Sequence, residues 1–97
     1  MTEIQKMLKK YRSEILLIAR KNGATQVRIF GSVSRGEARP DSDIDFLVNL
    51  EAGRSLMDLA RLLRELKTLL GRDVDVVTEA GLRSRIRPQV LKDAYEL

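Results

Sequence analysis

The chain has 97 residues with 18 Lys and Arg, 14 Asp and Glu, and a formal net charge of +4, but no cysteine and no histidine. This is the size of one small domain with a single core, and it can hold neither disulfides nor thiolate metal sites nor the usual histidine bases and zinc ligands. Any metal chemistry has to use carboxylates, which favour hard ions such as magnesium or manganese.

Taken in chain order, Ile4, Met7, Leu8, Tyr11, Ile15, Leu16, Ile18 and Ala19 share one helical face, predicting a helix from Ile4 to about Lys21. Asn22-Gly23 stops it, with Arg20 and Lys21 in the last turn, where they suit the helix dipole. Gln26 to Phe30 reads as a short strand ending at Gly31, and Ser32 to Ala38 as a short helix ended by Pro40. Asp43 to Leu50 is the clearest strand. Ser55 is the expected N-cap of a second amphipathic helix, with Asp58 in the capping-box place. Its apolar face runs through Leu56, Leu59, Leu62, Leu63, Leu66, Leu69 and Leu70, and Gly71 ends it. Asp73 to Thr78 is a further strand, and Pro88 opens a last helix through Val90, Leu91, Ala94 and Leu97. Strands and helices alternating in this way make a small α/β layer in one domain, residues 1–97, with the spare sheet face left for chemistry.

The charge surplus admits nucleotides, nucleic acid or an acidic protein as partners. Four aromatics (Tyr11, Phe30, Phe46 and Tyr95) are too few for a base-stacking platform, which weighs against nucleic acid as the main partner. The polar N-terminus has no signal-peptide pattern and no run approaches membrane-spanning length, so the cytoplasm is the expected location.

Chemistry concentrates between Gly31 and Val48. Alternate residues of a strand point to the same face, about 6–7 Å apart. Asp43 and Asp45 therefore project together while Ile44, Phe46 and Val48 face the core, and Asp73 and Asp75 repeat the pattern on the later strand. If these strands are neighbours, Asp43, Asp45 and Asp75 share one face, where they repel unless a cation or proton neutralises them. The plainer alternative is that the aspartates are surface residues paired with some of the Lys and Arg. Asp41 reads as a turn residue and Asp73 as structural or solvated. Gly31 lets backbone approach a phosphate, and the Ser32 hydroxyl with nearby amides can bind its oxygens; alone, the pair would be an ordinary turn and N-cap. Arg35 either neutralises a departing phosphate or pairs with a carboxylate to hold the loop.

Two other phosphate or metal motifs fail. Gly31 and Gly36 have P-loop spacing, but Glu37-Ala38 stands where Lys and Ser or Thr are required. Asp41 to Asp45 mimics the start of a calcium loop, but Phe46 replaces its glycine and Ala52 its glutamate.

Gly31-Ser32-Val33-Ser34-Arg35-Gly36 followed by Ser42-Asp43-Ile44-Asp45-Phe46-Leu47-Val48 resembles the nucleotidyltransferase superfamily that includes DNA polymerase beta, most of all its minimal nucleotidyltransferase (MNT) branch. Ser34 stands where that family often has Ala. The resemblance implies an α/β (α+β) nucleotidyltransferase fold: a short mixed β-sheet of three or four strands with helices packed on one face. It implies Asp43, Asp45 and Asp75 as metal-binding and catalytic residues, with Asp75 acting as or orienting the base, and Gly31, Ser32 and Arg35 as nucleotide-phosphate contacts. It implies Mg2+ or Mn2+ and ATP, with transfer of AMP to a protein hydroxyl. The implied partner is a HEPN toxin, modified on a tyrosine, with this chain as the antitoxin of a type VII-like pair. Two alternatives stay open: an antitoxin that neutralises by binding alone, and a nucleotidyltransferase or binding module acting on RNA.

Overall fold

A computed structural model describes residues 1–97. The N-terminal amphipathic stretch forms two helices, α1 (Glu3–Lys10) and α2 (Arg12–Lys21), rather than the single one its periodicity predicts. Thr2 and Gln5 form a capping box at the start of α1. The break is one residue long, at Tyr11, whose φ of −97° and ψ of 13° lie just outside the helical region. Neither Gly nor Pro marks it, and the apolar spacing runs straight through.

Strand β1 (Ala24–Phe30) leads directly into the short helix α3 (Gly31–Ser34), which ends sooner than the sequence suggests. Strand β2 (Ile44–Leu50) follows, then α4 (Leu56–Leu70). Ser55 and Asp58 make the expected capping box, and Gly71 ends α4 with a left-handed φ of +64°. Leu62, Leu66 and Leu70 are buried, but Leu56, expected on the same face, is 81% exposed because it lies at the helix entrance beyond the reach of the sheet.

Strand β3 (Val74–Thr78) is followed by α5 (Arg87–Asp93) and β4 (Tyr95–Glu96). The last helix therefore stops short of Leu97. Ala94 turns to extended backbone and Tyr95 joins the sheet edge instead of lying on a helix. The Leu97 amide donates to the Val27 carbonyl at 3.0 Å, and Arg12 Nε donates to the Leu97 carbonyl at 2.9 Å, fixing this segment.

The sheet order is β3-β2-β1-β4, mixed: β1 is antiparallel to β2 and β4, whereas β2 and β3 are parallel. The parallel pair requires a crossover, which α4 supplies. Ile44, Phe46 and Val48 are fully buried with Val27, Ile29, Val74 and Val76 against α1, α2 and α4. Leu47 and Val90 are buried outside that cluster, so α5 covers part of the opposite face. The remainder of that face carries Asp45 and Asp75.

Candidate active site

Strand register builds the site. Asp45 is the partner of Phe30 on β1 and of Asp75 on β3, so the end of β1 and the starts of β2 and β3 meet at one edge. Asp43 lies one residue before β2 and is exposed, as is Asp75, while Asp45 is half-buried. Gly31, the next residue after Phe30, has a φ of +73°, and a β-carbon there would overlap the Asp45 carboxylate. Glycine is thus required twice, by its backbone angle and by the carboxylate it faces.

Helix α3 is held from two sides. Gln5 Nε2 donates to the Val33 carbonyl at 2.8 Å, and the Ser34 hydroxyl donates to the Asp93 carbonyl at the end of α5. The turn after it closes through the Glu37 amide to the Ser32 carbonyl at 2.9 Å. Arg35 is bonded to Glu37 at 2.6 Å and to Asp93 at 2.9 Å, so the structure displays the loop-holding role of the two open to it. Gln5 and Asp93 carry no sequence signal for this task, because both act across more than 25 residues of chain.

The electrostatics single out the aspartates. Asp43, Asp45 and Asp75 make no ion pair, although Asp58, Asp73, Asp93 and five glutamates do. The surface-pairing alternative therefore fails for these three. Burial pushes the Asp45 carboxyl up to about 6, reinforced by the charges of Asp75 and Asp43 and only partly offset by Arg35. The side chains do not close into a three-carboxylate cage. What they present is an all-oxygen donor set without ion-pair partners, with the Asp45 carboxylate against the Gly31 turn. That chemistry fits a hard divalent cation bearing a phosphate. Asp41 is exposed in the preceding turn, and Asp73 pairs with Lys67 at 3.1 Å, as their sequence positions suggest.

Comparison with known proteins gives the same family. The model of the nucleotidyltransferase domain matches residues 8–96. The protein adenylyltransferase MntA of Thermococcus cleftensis is 37% identical over 91 residues, covering 94% of this chain and 89% of that protein. A solved structure described as a "putative minimal nucleotidyltransferase" superposes with a TM-score of 0.86 at 51% identity, covering 95% of this chain and 94% of that one. A toxin–antitoxin crystal structure with AMP-PNP contains a chain that matches with a TM-score of 0.74 at 26% identity, covering 87% of this chain and 69% of that one. The chain belongs to the nucleotidyltransferase domain family.

Proposed function

We propose that this chain transfers AMP from ATP to a hydroxyl of a partner protein, a tyrosine of a HEPN toxin, and thereby acts as the antitoxin of that pair. One observation carries the reading: Asp45, against the Gly31 turn, lies in register with Asp75 and within the electrostatic reach of Asp43, and none of the three has an ion-pair partner in a chain with 18 Lys and Arg. The similarity to an MntA adenylyltransferase and to a toxin–antitoxin chain crystallised with an ATP analogue supports both the donor and the partner.

Asp43, Asp45 and Asp75 would hold Mg2+, which supplies charge neutralisation for the triphosphate and the developing pyrophosphate. The Gly31 turn would offer its backbone, and Ser32 its hydroxyl, to a phosphate held beside the Asp45 carboxylate. A triphosphate would compete with Glu37 and Asp93 for the exposed guanidinium of Arg35. The acceptor oxygen attacks the α-phosphorus, the bond to the bridging oxygen of the β-phosphate breaks, and pyrophosphate leaves. The acceptor proton passes to Asp75, which orients the hydroxyl. Most of the rate enhancement is positioning and charge compensation.

Incubation with ATP, Mg2+ and the adjacent-gene HEPN protein, followed by mass spectrometry, tests this. Added AMP on a toxin tyrosine, lost in Asp45→Asn, is the expected result. A complex that neutralises the toxin with no mass change would assign neutralisation to binding alone.

A further inference from the structure

Asp43 has no secondary structure of its own to fix it. It lies between the turn 39–42 and the first residue of β2. The turn closes on itself, with the Ser42 amide donating to the Arg39 carbonyl at 2.9 Å and the Arg39 amide donating to the Ser42 hydroxyl at 2.8 Å. Neither of these bonds uses the carbonyls of Pro40 and Ser42. Both are taken by one side chain. Arg72, on the connection between α4 and β3, donates from Nη2 to the Pro40 carbonyl and, at 3.2 Å, to the Ser42 carbonyl.

The Ser42 carbonyl belongs to the peptide bond that carries Asp43. On the other side of Asp43, the Ile44 amide donates to the Asp73 carbonyl at 3.1 Å. Asp43 is thus bracketed by two consecutive residues, Arg72 and Asp73, which lead into the strand bearing Asp75. The ordinary role for an arginine here is to balance the C-terminal dipole of α4. Its partners argue otherwise, because they lie on a different segment some thirty residues earlier in the chain.

We propose that Arg72 is a positioning residue for the transfer reaction: by gripping the Pro40 and Ser42 carbonyls it fixes Asp43 relative to Asp45 and Asp75. The inference rests on the roles given above to the three aspartates. A guanidinium suits the task because a single Nη carries two N–H donors held in a fixed plane, whereas an ammonium is a flexible point. Its Nε is buried without an acceptor, so the grip is supplied by the outer nitrogen alone.

The test compares wild type, Arg72→Met and Arg72→Lys for AMP transfer to the HEPN partner, together with amide hydrogen exchange of the metal-free chains. Arg72→Met is expected to lower kcat about 100-fold, the scale of a misplacement near 1 Å, with KM for ATP held within about twofold. Arg72→Lys is expected to fall between, at about tenfold, as it retains one carbonyl contact. Exchange at the amides of Ser42 and Ile44 should quicken in Arg72→Met while those of β1 and α2 keep their protection. A kcat within twofold of wild type in Arg72→Met would overturn the proposal. So would equal loss of protection throughout the chain, which would make Arg72 a general stability element. If wild type itself transfers no AMP, the reaction reading fails instead, and exchange at Ser42 and Ile44 decides whether Arg72 holds the turn.

Discussion

Gly31 and Asp45 touch across the ends of β1 and β2, with a carboxylate oxygen of Asp45 filling the space that a β-carbon on Gly31 would need. The turn proposed to take a phosphate and the most buried of the three carboxylates are therefore one structural unit. Gly31→Ala should cost about 1–2 kcal/mol in stability from its left-handed backbone alone. Relief of the overlap would move Asp45, and AMP transfer should fall about 100-fold. Urea unfolding and transfer kinetics on the same variant check both halves, and an active Gly31→Ala would separate turn from carboxylate.

Asp45 also predicts an unusual pH dependence. Its folded pKa of about 6 lies above the unfolded carboxylate value near 3.9, so the folded chain holds the extra proton between those limits. Stability contributed by this group is complete below about pH 4 and is lost as pH rises through about 6. At 1.36 kcal/mol per pKa unit the shift sets a ceiling of about 3 kcal/mol, and solvent screening at this half-buried carboxyl brings the difference to about 1–2 kcal/mol. Asp58, Glu65, Glu79 and Asp93, each lowered by hydrogen bonds to the charged form, act in the opposite sense and lose their contribution as pH falls through their folded values. Comparison of wild type with Asp45→Asn by urea unfolding in chelator isolates the first effect. The variant should match wild type near pH 4 and exceed it above pH 6, and divalent cation should narrow the gap. Parallel curves would contradict the account.

A change remote from the site should dissociate folding from chemistry. Asn22 is buried at the end of α2, where it donates to the Ile18 carbonyl at 3.0 Å and to Glu65 at 2.7 Å and accepts from Arg61 at 3.4 Å. Asn22→Ala removes these bonds and should cost about 1–3 kcal/mol. Transfer rates measured well below the melting temperature should stay near wild type. A loss of kcat comparable to that of Gly31→Ala would show that the α2–α4 contact reaches the site.

Much of this architecture was legible in the residues themselves. Alternation at Asp43–Val48 and Asp73–Val76 places three aspartates on one face, and the Asp45–Asp75 register realises that placement. Ser55, Asp58 and Gly71 bound α4 because caps are local chemistry. What escaped sequence reading is non-local. Tyr11 breaks a helix without a breaker residue, since α2 packs on β1 and α4 while α1 reaches α3 through Gln5. Tyr95 and Glu96 pair with β1 through backbone bonds that two residues cannot announce. Arg35 reads either as a phosphate contact or as the partner of a carboxylate, but that Asp93 is one such carboxylate, and that Arg72 reaches Ser42, becomes visible only once distant segments are brought together.

The central claim is that Asp43, Asp45 and Asp75 perform nucleotidyl transfer to a protein. The most direct measurement is intact-mass analysis of the HEPN partner after incubation with ATP, Mg2+ and each chain: wild type, Asp43→Asn, Asp45→Asn and Asp75→Asn. Wild type should add the mass of AMP to a tyrosine, and each variant should slow that addition by about 1000-fold or more, on the scale of losing a group that stabilises transition-state charge. Unchanged transfer and toxin rescue by Asp43→Asn and Asp45→Asn would contradict it.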